Sequence, residues 1–223
     1  MKLFGIDTST SIFYACLYDN GRIYEYELEA GKRLSRIIAP TIKRLQEASG
    51  MALKDLDCFV CGLGPGSFTG MRVGLSMVKG LAWVLGKPVI GISTLDILAM
   101  NAPDTKADIF AIADAKRNLV YACAYRKKSG RLKRITPYSL LNESQLIKKI
   151  KPGSVVLGDG LNLYKNSLLR QLKGLTILDK DYWRLLPCNI ILKGLEGIKE
   201  KKITDAFRIE PLYIYPKECQ IRR

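Results

Sequence analysis

Residues 61–74 read Cys-Gly-Leu-Gly-Pro-Gly-Ser-Phe-Thr-Gly-Met-Arg-Val-Gly and directly follow Leu56 to Cys61, a run with the pattern of a buried strand. A strand must end here and a helix must begin, across a stretch in which glycine recurs at 62, 64, 66, 70 and 74. Bare backbone at a strand-to-helix junction has two physical uses. It can bring amides and a helix N-terminus up to a phosphate. It can also supply positive φ at Gly64 or Gly66, with Ser67 or Thr69 capping the helix and Gly70 and Gly74 thinning one of its faces. The stretch matches neither G-x-x-x-x-G-K-[ST] nor G-x-G-x-x-G, so it carries no nucleotide fingerprint.

The flanking pattern predicts an α/β chain in two lobes. Leu3 to Asp7 and Ile12 to Tyr18 read as strands joined by the turn Thr8-Ser-Thr-Ser11, and Asp19-Asn-Gly21 marks a hairpin into the alternating strand Arg22 to Leu28. Leu34, Ile37, Ile38, Ile42 and Leu45 recur at helical spacing, with Pro40 placed to bend that helix or mark its first turn and Gly50 to stop it. A helix from Phe68 to Leu85 closed by Gly86, a strand over Lys87 to Ile92 and a capped helix over Ser93 to Met100 complete the first half. After the linker Asn101 to Thr105 the grammar restarts, with strands over 107–114 and 119–125, a capping box at Asn142 to Gln145 opening a helix to Ile150, and a strand over 154–158. The lobe boundaries expected are 1–103 and 104–207.

Chemistry is restricted by the absence of histidine, which removes the commonest general base and metal ligand together. Cys58 and Cys61 sit three apart on one strand, point to opposite faces and cannot share a metal. The other cysteines lie in apolar segments, as buried thiols of a reducing compartment do. No apolar run approaches the ~20 residues of a membrane span, and Met1 leads into a strand, so a cytoplasmic address without membrane contact is expected. The net charge of +15 is uneven: residues 1–100 hold 11 Lys and Arg against 9 Asp and Glu, and the remainder holds 25 against 12. Its densest patch is Arg126, Lys127, Lys128, Arg131, Lys133 and Arg134, set where two strands meet in a hairpin. A polyanion such as RNA and a plain solubilising surface both account for it.

Six stretches together resemble one family. Ile6-Asp-Thr-Ser-Thr10, the 62–74 block, Gly91-Ile-Ser-Thr-Leu95, Asp114-Ala-Lys-Arg-Asn-Leu-Val-Tyr121, Gly158-Asp-Gly160 and Glu210-Pro-Leu-Tyr-Ile214 are similar in order and spacing to the TsaB, or YeaZ, family. The resemblance implies the two-lobed fold of actin, hexokinase and the heat-shock chaperones, in a small non-catalytic companion of the ligase subunit TsaD in tRNA threonylcarbamoyladenosine formation. It implies no cofactor of the chain's own, ATP and metal on the partner, a TsaE-like ATPase and tRNA in the larger complex, and a homodimer when alone. It favours the packing use of the glycine-rich junction over the phosphate use, and it implies that the C-terminal segment 208–223 returns to the first lobe. Where relatives commonly have His-Ser-Glu this chain has Leu34-Ser35-Arg36, and where they commonly end Tyr-Leu-Arg it has Tyr213-Ile214-Tyr215.

Candidate sites follow. Asp7, Thr8 and Thr10 occupy the places that hold phosphate in nucleotide-using members of this fold, but the answering Asp-x-Gly turn reads Asp114-Ala115-Lys116, so a weak or vestigial turn is expected. The family pairs through its first two helices, which selects Leu34, Ile38, Ile42, Gly70, Met71, Gly74, Val78 and Leu81, with Val78 outward. A small ATPase or kinase of the same fold and an independent nucleic-acid-binding protein are the other readings.

Overall fold

A computed structural model describes residues 1–215 of the chain. It divides into two compact units, Met1–Thr94 with Leu186–Leu212, and Leu95–Leu185 with Tyr213–Tyr215.

The first unit is built on β1 (Lys2–Asp7), β2 (Ile12–Asp19), β3 (Arg22–Glu29), α1 (Leu34–Ser49), β4 (Cys58–Gly62), α2 (Phe68–Leu85) and β5 (Val89–Ile92). Its sheet runs β3-β2-β1-β4-β5, antiparallel across the first three strands and parallel from β1 onward. The period of two decides what each face meets. Phe4, Ile6, Phe13, Ala15, Leu17, Phe59 and Cys61 enter one core with Leu34, Ile38, Ile42 and Leu45 of α1 and Leu75, Val78 and Ala82 of α2. Asn20 and Gly21 both take positive φ at the β2–β3 turn, as the Asn-Gly pair predicts. Pro40 lies on the exposed side of α1, which begins six residues earlier and continues through it.

Past α3 (Thr94–Ala99), the second unit comprises β6 (Thr105–Asp114), β7 (Val120–Lys128), β8 (Arg131–Arg134), β9 (Ser139–Leu141), α4 (Glu143–Lys149), β10 (Val155–Leu157), α5 (Leu161–Gln171) and β11 (Thr176–Ile177). Its sheet order, β8-β7-β6-β10-β11 with β9 also on β7, repeats that of the first sheet, antiparallel on one side of β6 and parallel on the other. The capping box at Asn142 is formed in full, its side chain accepting from Gln145 N and the Gln145 side chain returning to Asn142 N.

The boundaries differ from those expected at three places: α3 from Leu95 onward and Tyr213–Tyr215 go with the second unit, and one helix from late in the chain goes with the first. The helix α6 (Pro187–Lys199) belongs to the first unit, where it covers the sheet face opposite α1 and α2. A Cβ on Gly194 would lie 2.5 Å from Val60 Cγ2, and one on Gly5 would lie 2.9 Å from Ile190 Cγ2, so helix and sheet approach more closely than side chains on both would permit. The following segment bridges Val89 through Thr204, and Leu212 N donates to Leu63 O at 2.8 Å. Residues 216–223 of the segment expected to return lie outside the described residues.

Candidate functional site

The β1–β2 turn is closed by its own unit. Asp7 is fully buried; its Oδ1 accepts from Ser9 N at 2.8 Å and Ser9 Oγ at 2.7 Å, and its Oδ2 from Thr94 Oγ1 at 2.6 Å. Burial pushes its pKa up, and these hydrogen bonds pull it partly back. Thr8 Oγ1 donates to Gly70 O at 2.8 Å, and Ser67 N donates to Ser9 O at 2.7 Å. The glycine-rich junction is thereby explained. A Cβ on Gly70 would fall 2.1 Å from Thr8 O, and one on Gly74 2.1 Å from Thr8 Oγ1, so α2 reaches the turn only because both side chains are missing. Gly64 supplies the positive φ, at 88°, and Ser67 Oγ caps α2 by accepting from Gly70 N. Of the three candidate phosphate residues, Asp7 and Thr8 are engaged internally and only Thr10 is exposed, bonded to the backbone of Ile12.

The second turn is held differently. Asp114 accepts from Lys116 N and pairs with Lys116 Nζ at 2.6 Å, and Asp159 accepts from Asp114 N. Lys116, Arg117 and Asn118 all have positive φ, at 63°, 53° and 55°. Tyr164 Oη donates to Asn118 O, and Tyr215 Oη donates to Ala115 O at 2.7 Å.

The helix faces correct the choice of pairing residues. Val78 is 0% exposed, and Gly70, Met71, Gly74, Leu34, Ile38 and Ile42 are buried as well; of the eight, only Leu81 is part-exposed. Val78 falls in phase with Gly70, Gly74 and Ala82, the stripe that meets the sheet, and so cannot face outward. The outward stripe is Val73, Met77, Gly80 and Val84, which periodicity alone did not select because both stripes are apolar. Together with Ser35, Ile38, Arg72, Ser76, Leu81 and Trp83 it lines a groove of about 750 Å³ between α1 and α2. Val84 is 77% and Trp83 65% exposed, and Trp83 stands edge-on to Phe207, ring centres 5.9 Å apart. Among the described residues, nothing lies within 4 Å of a Cβ placed on Gly80.

The basic hairpin uses its cations unequally. Arg126 Nε bonds Asp108 Oδ1 at 2.8 Å, Lys127 Nζ donates to Met100 O and Ala102 O, and the Arg134 guanidinium lies 4.3 Å over the Tyr138 ring. The side chains of Lys128, Arg131 and Lys133 are exposed and make no ion pair or hydrogen bond among the described residues. Neither a metal-holding group of three or more Cys, Asp or Glu nor a helix long and apolar enough to cross a membrane occurs among the described residues.

Two units that each repeat one sheet order, three antiparallel strands followed by two parallel ones, define a small α/β protein of the actin and hexokinase type. Comparison with known proteins narrows the class. The family described as TsaD, tRNA N6-adenosine threonylcarbamoyltransferase, matches residues 28–173. The tRNA threonylcarbamoyladenosine biosynthesis protein TsaB of Bacillus subtilis is 33% identical over 172 residues, 75% of each chain. That of Haemophilus influenzae is 28% identical over 228 residues, 96% of this chain and 93% of the relative. Among solved structures, YeaZ from Pseudomonas aeruginosa shares the fold at TM-score 0.80 with 24% identity, over 95% of this chain and 100% of that one. A second Pseudomonas aeruginosa protein, described as similar to YeaZ, shares it at TM-score 0.83 with 23% identity, over 96% and 99%. The chain belongs to the TsaB (YeaZ) family, whose members are involved in tRNA threonylcarbamoyladenosine biosynthesis.

Proposed function

We propose that the chain is a non-catalytic subunit that pairs with a TsaD-type ligase through the α1–α2 groove and holds it in its active form. The observation that carries this reading is the outward stripe of α2. Glycine inside a helix costs roughly 0.5–1 kcal/mol relative to alanine, and at position 80 no contact among the described residues requires it. A partner backbone brought close to Gly80, with Met77, Leu81 and Val84 buried beside it, supplies the reason; each such side chain contributes about 1.5–3 kcal/mol when fully covered. The match of residues 28–173 to the TsaD family, over a span that contains both helices, supports a partner of that kind. Related chains present related faces, so one groove suits both a second copy and the ligase. A homodimer that exchanges for the heterodimer is the expected behaviour.

In this reading ATP and metal reside on the ligase, a TsaE-like ATPase joins the larger assembly, and the complex works on tRNA in the cytoplasm. The alternative, an ATPase or kinase of the same fold, is disfavoured by Asp7 and Thr8, whose polar atoms are bonded within their own unit, and by Lys116 standing where a phosphate turn needs glycine. The test is reconstituted threonylcarbamoyl transfer to unmodified tRNA. The ligase should depend on this chain for turnover, and the chain alone should hydrolyse no ATP. Steady ATP turnover by the chain, abolished by Asp7→Asn, would reverse the assignment.

A further inference from the structure

The β7–β8 ribbon sorts its cations by face. Arg126 pairs in register with Lys133, and Lys128 with Arg131, so these four share one face; Lys127 with Leu132 and Tyr125 with Arg134 take the other. The two-residue loop Ser129-Gly130, with φ of 50° and 72°, fixes that register. Like charges directly opposite each other weaken a strand pair, and here two such pairs follow one another. Asp108 offsets only one end, since it accepts from Arg126 and lies 3.6 Å from Lys151. Asp104 accepts from Gly130 N, and Lys128, Arg131 and Lys133 form no ion pair among the described residues. The face therefore carries an uncompensated positive field that an external anion would relieve.

We infer that this face, through Lys128, Arg131 and Lys133 with Arg126 at its end, lies along the phosphate backbone of a folded RNA. Its geometry selects an extended polyanion over a free phosphate. The backbone positions that carry them lie about 5 Å apart across the strands and about 7 Å along them, in a row rather than around a point. No aromatic side chain stands among them on that face, so it offers no stacking platform for bases, and contact is with the backbone and independent of sequence. No apolar side chain stands among them either, which sets the face apart from a membrane-surface site with its buried anchor. That the RNA is tRNA rests on the proposed function above.

The test is an anisotropy titration of a labelled, unmodified tRNA transcript with the full chain, between about 50 and 200 mM salt. The variant carries Lys128→Gln, Arg131→Gln and Lys133→Gln. A control carries Lys165→Gln, Arg170→Gln and Lys173→Gln, on the same unit and with the same change in net charge. The ribbon variant should bind at least about tenfold more weakly and flatten the slope of log K against log salt by about 2 to 3, as expected from 0.7–0.9 per phosphate contact. The control should do neither. Equal losses in both variants, or no binding by the native chain at the lowest salt, overturn the inference. Binding to phosphatidylserine vesicles that needs the ribbon while tRNA binding does not assigns the face to a membrane. Aggregation of the ribbon variant at unchanged tRNA affinity assigns the charges to protection of the β8 edge. Ligase binding, measured on the same variants, should be unaltered throughout, which keeps a failure here distinct from a failure of the pairing.

Discussion

Asp7 is where sequence and environment pull apart. Its position in the first turn is that of a phosphate-binding residue, yet its oxygens are bonded to Ser9 and Thr94, and burial raises its pKa. The folded chain thus holds this proton more tightly than the unfolded chain. The group's contribution to stability is greatest below the usual carboxylate range and falls as pH rises toward the folded-state pKa. Asp7→Asn should remove that decline, so the difference between native and variant melting curves should grow from acid to neutral pH. A difference that shrinks with rising pH would contradict the buried carboxyl. Asp7→Ala, which leaves Ser9 N without its acceptor, should lose about 1–3 kcal/mol. The glycines give a second contrast. Gly80→Ala should stabilise the isolated chain by about 0.5–1 kcal/mol in urea denaturation and weaken ligase binding, whereas Gly74→Ala, facing Thr8 Oγ1, should destabilise it.

At the scale of elements, the limits of α2 were legible and its orientation was not. Ser67 as cap and Gly86 in the left-handed region fix both ends from local chemistry. Which stripe meets the sheet depends on Thr8, far earlier in the chain, whose carbonyl and hydroxyl require Gly70 and Gly74 on the inner face. Hydrophobicity alone does not choose between the two stripes, because Val73, Met77 and Val84 are as apolar as Met71, Leu75 and Val78. Two substitutions one residue apart separate them. Val78→Arg should prevent folding, seen as loss of the cooperative thermal transition, because it places a charge in a closed core. Met77→Arg should keep that transition and fill the groove.

For the whole molecule, the repeat of one sheet order was legible in the strand-strand-helix grammar, and the return of α6 was not. Gly194 and Gly197 weaken that segment as a helix by local propensity. Their reason lies on the sheet, at Val60 and Ile90, far away in the chain. A fragment ending at residue 103 lacks α6 and leaves the face of β1 and β4 that carries Gly5 and Val60 open. It should be insoluble or molten, and adding residues 186–212 in trans should restore a cooperative melt. A cooperative melt of the fragment alone would make α6 dispensable to the first unit.

The proposed pairing of this chain with a TsaD-type ligase is tested most directly by sedimentation velocity of an equimolar mixture with that subunit. The native chain should run with the ligase as one heterodimer. The Met77→Arg chain, with its thermal transition intact, should leave two separate boundaries. A heterodimer formed equally well by the Met77→Arg chain would contradict the assignment of the α1–α2 groove.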